Sequence, residues 1–427
     1  MQTLKILIRG SYYDSQIYSG RLYLWHRGGS IITINWDRLI ESVNVEERLK
    51  LALRCAFQQS EYLYSSDFQL IFQDEEIKRT LQKKFDDLQE TSIEFSEIGL
   101  KKGNLVIAEQ DTSLPFPHAD SLIYNKTLYA GDVSGIWATT FNKRNKPINP
   151  QSTKLWDGPV LGISASYSTL ALAAGSEGLY ERPSSLYVEE EPHQLVNLHT
   201  NSARWMYFSI FSSSYFNSGY LADFTLEDLS FKERWGRAED DEDRYEQLKS
   251  LRLKKRQLKE ILPSDSIFSD QEEDLFINPE EDNISKYAWG VHDKFCLATQ
   301  AYIDIVQYSP YHQARYERFK HLGRINTGGL HGDIIRGDSA LFGFIVELDD
   351  GLLIFNSDGE SSTLLSGEPV NWRIFPRSKY YTNQLHVIYE DYLCIYSFNQ
   401  DYFVDQNKKR VGIRHSKAFS SGGFDAK

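Results

Sequence analysis

The chain has 427 residues, 41% of them hydrophobic and 14% aromatic, with a net charge of −13. That charge argues against a general binder of nucleic acid or anionic membrane, whose footprint is a basic surface. The 26 Tyr and 24 Phe favour strands over helices, and no run approaches the roughly 18 apolar residues of a membrane span.

Taken in chain order, TLKILIRG at Thr3–Gly10 reads as a strand. It lacks the apolar run of a signal peptide. RLYLWHRGGSIITINW from Arg21 joins two apolar-aromatic runs through a tight polar turn, which is the hairpin pattern. A first insertion follows over Val43–Glu90. Val45–Tyr64 reads as one helix, and Phe68–Leu88 as a second capped by Asp67, with Leu70, Ile77, Leu81, Phe85 and Leu88 on one face. The expectation is a helical pair packed on the flank of the fold, with a partner-docking arm as the alternative.

Hairpin grammar then recurs in SLIYNKTLYAGDVSGIWATTF from Ser121 and DGPVLGISASYSTLALAAGSEGLYERPSSLYV from Asp157. It recurs again in ARWMYFSIFSSSYFNSGYLADF from Ala203, KFCLATQAYIDIVQY from Lys294, LFGFIVELDDGLLIFN from Leu341 and LHVIYEDYLCIYSF from Leu385. Third strands start near Ser30, Gly135, Gly178, Gly219, Ala301, Gly351 and Tyr392, at gaps of 105, 43, 41, 82, 50 and 41 residues. A period of about 40–45 residues is that of a propeller blade. The two long gaps coincide with stretches that read as helix. STKLWDGPVLGI from Ser152 and STLLSGEPVNWRI from Ser362 align as an outer strand feeding the next inner strand.

The unit Asp157–Val188, with its Gly-Pro-Val lead-in and its Gly-Ser-Glu-Gly turn, resembles a blade of the WD40-like β-propellers, although the terminal Trp-Asp of that family is absent. The resemblance implies an all-β fold over residues 1–427, a seven-bladed β-propeller with two α-helical insertions. Thr3–Gly10 is expected to close the ring with the last blade, which removes exposed sheet edges. Residues 420–427 read as a flexible tail.

The second insertion spans 235–283, and residues 239–283 hold −8 of the net charge. Glu239–Asp243 precedes RYEQLKSLRLKKRQLKEIL, read as a helix to Leu262 on the spacing of Leu248, Leu251, Leu258 and Leu262 and on its charge polarity. Pro263–Asn283 carries eight acidic side chains and no basic one, a composition that suits a flexible segment. The partner-binding candidates are Trp235, Glu239, Asp240 and Asp241 at its start and Phe268, Leu275, Phe276 and Ile277 within it. Solvation of an exposed element is the bland explanation of the charge run.

The three cysteines, Cys55, Cys296 and Cys394, have no metal-ligand spacing and form no even framework, so reduced thiols in a cytoplasmic protein are expected. His118, His199 and His292, with Asp120, Asn201, Asp293, Asp338 and Asn383, are read as residues of the turn between first and second strands. Gly328–Asp338 reads as an inter-blade loop, since no helix follows to cradle phosphate. Asn356–Leu365 reads as a hairpin turn. Trp25, Trp137, Trp205, Trp289 and Trp372 read as core between blades. No catalytic, cofactor-binding or metal-ligating residue is expected.

The functional expectation is a non-enzymatic protein–protein interaction module: a scaffold, adaptor, inhibitor or regulatory subunit of a hetero-complex. Its partner is another protein or peptide, with no direct nucleic acid and no membrane. A prokaryotic stress or anti-phage defence system is one setting for it. The alternative is a propeller enzyme or small-ligand binder using the central channel.

Overall fold

The computed structural model describes residues 3–58, 71, 74–141, 147–186, 190–214, 219–228, 254–269, 286–312, 314–340, 342–356, 361–378 and 380–398. Its strands form seven small sheets, six of them antiparallel and sequential from the inside outward. Blade 1 is Tyr12–Tyr18, Arg21–His26, Ile31–Asn35 and Val106–Gln110; blade 2 is Asp120–Tyr124, Thr127–Asp132, Gly135–Thr140 and Thr153–Trp156. Blade 3 is Gly162–Ser166, Thr169–Ala173, Leu179–Pro183 and His193–Val196; blade 4 is Ser202–Met206, Ser209–Ser213, Tyr220–Asp228 and Lys254–Pro263. Blade 5 is Tyr287–Val291, Lys294–Ala298, Tyr302–Tyr308 and Phe319–Asn326; blade 6 is Arg336–Ala340, Gly343–Leu348, Gly351–Asn356 and Ser362–Ser366. Blade 7 is Asn371–Ile374, Gln384–Ile388 and Tyr392–Ser397.

All seven expected hairpins are therefore second-to-third strand pairs of a seven-bladed propeller. Blade 7 takes its fourth strand from the N-terminus: Leu4–Arg9 pairs antiparallel with Tyr392–Ser397, from Leu4↔Ser397 to Arg9↔Tyr392. Closure follows from the backbone. Without Leu4–Arg9, the third strand of blade 7 would present a free edge of unpaired N–H and C=O groups. A fifth strand, Ile93–Ser96, then adds in parallel to Leu4–Arg9.

The core lies between blades. Trp25, Trp205, Trp289 and Trp372 are buried as expected, and Trp137 is partly so. The first insertion contributes α1 (Trp36–Ser42), a 3₁₀ turn at Glu47–Leu49, α2 (Lys50–Phe57), α3 (Glu75–Gln89) and α4 (Glu97–Lys102). Helix α3 runs over Glu75–Gln89, while Asp67 and Phe68, the cap and start read from the sequence, lie outside the described residues. Its cap is Asp74, which accepts from the N–H groups of Glu76 and Ile77 at 2.9 and 3.1 Å. Leu81, Phe85 and Leu88 of that helix join Leu39, Leu53, Phe57, Ile6, Ile8 and Leu393 in one cluster. The last carbonyls of α2 lack helical partners. Blade 7 supplies them: Asn383 and Ser397 donate to Ala56 O (2.8 and 2.7 Å) and Gln384 donates to Phe57 O (2.8 Å).

The second insertion departs from expectation. Lys254–Pro263 is the outer strand of blade 4, not the end of a helix, with its register running from Tyr220↔Pro263 to Asp228↔Lys254. The leucine spacing misled because a gap of four residues is close to one helical turn but is also an even number, which an unbroken strand places on one face. In the strand itself a bulge at Asp223/Phe224 separates the two faces, leaving Leu262 buried and Leu258 41% exposed. The unpaired edge of Tyr220–Asp228 decides between helix and strand. A six-residue helix, α5 (Ser264–Ser269), follows.

Candidate interaction face

The inner strand of each blade runs alongside the channel, and all first-to-second strand turns emerge on one face. Asp-Ser pairs recur on three inner strands: Asp14–Ser15, Asp120–Ser121 and Asp338–Ser339. In each, the serine N–H donates to the preceding carboxylate at 2.8 Å. The second carboxylate oxygen reaches outward. Asp14 Oδ2 accepts from His118 Nε2 (2.7 Å) and Ser121 Oγ (2.6 Å) of blade 2. Asp120 Oδ2 accepts from the N–H of Ile163 in blade 3 at 2.8 Å, and Asp338 Oδ2 from Arg204 at 3.1 Å.

Arg373, on the inner strand of blade 7, forks onto Asp14 through Nε and Nη2. It also donates through Nη1 to Asp120 (3.0 Å) and to Ser121 O (3.0 Å). Burial would raise the Asp14 carboxyl, but Arg373 and His118 outweigh it and hold the group well below the usual carboxylate range. Burial followed by the Arg373 charge lowers His386 to about 3. It is therefore a neutral ring with Nδ1 3.1 Å from Ser15 Oγ.

This network corrects the turn reading of the histidines and aspartates. His118 lies before its inner strand, buried against Asp14. His199 lies 3.3 Å from Ser214 Oγ. Asp120 and Asp338 lie in inner strands, and Asn383 caps α2. His292 and Asp293 occupy a first-to-second turn, Asp293 there accepting from Lys294 Nζ at 2.8 Å, and Asn383 lies in the first-to-second connection of blade 7. With a carboxylate, a serine and a backbone carbonyl as their partners, the three histidines share no site. Position along the strand was the signal that sequence spacing missed: an Asp-Ser step in an inner strand serves the neighbouring blades.

The turn face itself carries aromatic residues in backbone states that disfavour them. Tyr167 and Ser168 have φ of 50° and 54°, and Tyr207 and His292 each have φ of 53°. Two-residue hairpin turns select Asn-Gly or Gly because left-handed geometry costs other residues about 1–2 kcal/mol each. Strain of this kind concentrates at functional sites. Tyr167 is 59% exposed and Tyr311 75% exposed. Tyr311 stands 5.9 Å from the Tyr207 ring and 6.1 Å from Phe208.

The blade 7 turn on this face is a longer strap between Ile374 and Gln384. His292 Nε2 donates to Pro376 O at 2.9 Å, and Arg377 donates to Ala165 O (2.7 Å) and Ser166 Oγ (2.8 Å). The strap thus touches blades 5 and 3 across the ring. Arg377 is held against the blade 3 turn, and partial burial there lowers its pKa; Tyr124 and Tyr167 oppose the shift, and nearby Arg204 adds to it.

Seven sequential antiparallel blades around one axis, sealed by an N-terminal strand, fix the architecture. In fold, the chain is a seven-bladed β-propeller. No family model matches it, and no curated protein matches it. Among solved structures it is similar to the AfRom2 CNH domain, at 13% identity and a TM-score of 0.36 over 66% of this chain and 94% of that one. It is also similar to the WD40 beta propeller domain of Doa1, at 10% identity and a TM-score of 0.36 over 67% and 94%. The computationally designed Ika8 protein matches at 6% identity and a TM-score of 0.44 over 92% and 99%. The fold assignment rests on strand order and register.

Of the partner-binding candidates, Phe268 is corrected. It is 7% exposed in α5 and packs with Met206, Phe211, Ile267 and Phe295, so it is core between blades 4 and 5. An apolar residue beside a free blade edge was drawn inward, against the acidic composition around it. Trp235, Glu239, Asp240, Asp241, Leu275, Phe276 and Ile277 lie outside the described residues. The three cysteines are free and buried, and burial raises their thiols to about 12, 12 and 11 for Cys55, Cys296 and Cys394. No helix among the described residues is long and apolar enough to cross a membrane.

Proposed function

We propose that the chain is a non-enzymatic interaction module that takes a segment of another protein on the turn face of the propeller. The observation that carries this is the convergence of Tyr167, Tyr207, Tyr311 and Arg377 there, two of the tyrosines in left-handed backbone. Tyrosine and arginine are the residue types enriched where binding energy concentrates. The Asp14–His118 pair, by contrast, is sealed from solvent and serves the blades. A subunit of a hetero-complex in a reducing cytoplasm is the setting proposed for this role, and buried unpaired thiols are consistent with it.

The test is affinity capture from the native cells with quantitative mass spectrometry. Wild type is compared with a Tyr167→Ala/Tyr311→Ala variant of unchanged melting temperature. A partner that falls by tenfold or more with the variant supports the face; partners retained at wild-type levels refute it. A second reading, an anionic small ligand in the channel, has Arg204 and Arg377 in its favour. A metabolite that copurifies with wild type and is lost from Arg377→Gln would select it.

A further inference from the structure

Three residues far apart in sequence meet on blade 1. The nearest ligand atoms of His26, Glu97 and Glu109 all lie within 4.8 Å of one another. The register explains two of them. His26 N bonds to Ser30 O, and Ile32 stands opposite Glu109. Ser30 and Ile32 are two apart, so His26 and Glu109 share a face of the sheet. Glu97 arrives from α4, which crosses that face between Ile93–Ser96 on the edge of blade 7 and Val106–Gln110 on the edge of blade 1.

Two observations point to a bound cation. The Nε2 atom of His26 is buried and has no hydrogen-bond partner. A buried ring nitrogen in that condition is a standing cost that a ligand bond removes. Separately, the two carboxylates already hold a cation of the chain's own. Lys101 Nζ lies 3.1 Å from Glu97 and 2.7 Å from Glu109. Its side chain is 46% exposed, so the flexible stem can withdraw the ammonium into water.

We propose that His26, Glu97 and Glu109 form a site for a first-row divalent cation of the zinc type, at the seam where the ring closes. One imidazole nitrogen and two carboxylate oxygens are a donor set suited to zinc and its neighbours. The nitrogen disfavours calcium and magnesium, which take oxygen ligands. The site's geometry gives the ion a structural purpose. It ties α4 to the second and fourth strands of blade 1, next to the N-terminal strand that closes blade 7 without a covalent bond. A metal here reinforces closure and leaves the turn face untouched.

The experiment is calorimetric titration of the full chain, stripped with EDTA, with zinc chloride. It is repeated with magnesium chloride and on three variants, Glu109→Gln, His26→Ala and Lys101→Met. Expected is one zinc site in wild type, no magnesium binding, and an affinity at least about tenfold weaker in Glu109→Gln and His26→Ala. Lys101→Met, lacking the competing ammonium, should bind more tightly. Glu109 is exposed, so its variant folds even if His26→Ala does not. Cobalt substituted for zinc should give visible absorption in wild type that Glu109→Gln loses. Absence of zinc binding, or equal affinity in wild type and Glu109→Gln, overturns the proposal.

Discussion

Replacing Arg373 by Met should be among the most damaging single changes in the ring. Asp14 is fully buried, and Arg373 meets both its oxygens. Removing one partner of a buried ion pair costs about 3–5 kcal/mol, because the remaining charge is left without compensation. The contacts to Asp120 and Ser121 O add to this, so about 4 kcal/mol is expected, a large part of the roughly 5–15 kcal/mol that holds a domain folded. Asp14→Asn should cost less. The Arg373 side chain is 15% exposed and can be solvated through the channel, whereas Asp14 cannot.

The double variant Arg373→Met/Asp14→Asn should then be more stable than Arg373→Met alone, with a coupling of at least about 2 kcal/mol. Urea denaturation at pH 7 measures all four proteins, with the slope compared to confirm a common transition. If Arg373→Met lies within about 1 kcal/mol of wild type, or the double variant equals the sum of the singles, the network does not hold the blades together.

His386 is lowered by burial to about 3 from an ordinary 6.5, so the folded state binds fewer protons than the unfolded one between those values. Stability should therefore fall as pH drops from about 6.5 toward 3, by up to about 1.4 kcal/mol per pH unit, and His386→Gln should flatten that slope in pH-dependent melts. The depressed Asp14 carboxyl acts in the same direction, its contribution present above the ordinary carboxylate range and lost as acid titrates it. Gly178 has φ of 96°, and an added Cβ would stand 2.1 Å from Val196 O. Gly178→Ala should lower the melting temperature by several degrees, and an unchanged value would contradict the turn. Phe268→Ala should cost about 3 kcal/mol by urea denaturation if the residue is core, and close to nothing if it is an exposed docking residue.

The ring was legible from the chain because each blade repeats a local code. Alternating apolar runs and tight polar turns give antiparallel hairpins, and their 41–50-residue spacing sets the count once two long gaps are set aside. Thr3–Gly10 could be assigned to closure because a strand without a neighbour must find one. What lay outside the code was everything settled by residues that meet only in space. The leucines of Lys254–Pro263 are spaced as in a helix, and the free edge of Tyr220–Asp228 chose the strand.

The site divides the same way. Asp14, Arg373 and His118 are separated by 104 residues or more, and no spacing within a blade reveals that one carboxylate serves three blades. His26, Glu97 and Glu109 likewise converge only when α4 crosses the seam. Even Tyr167 and Tyr207, visible as turn residues, acquire meaning from their left-handed backbone and from a strap of blade 7 beside them. Local periodicity fixed the strands, since backbone pairing and side-chain alternation act over a few residues. The polar network and the turn face were decided by closure of the ring, which brings blades 1, 2 and 7 together and gives buried charges their partners.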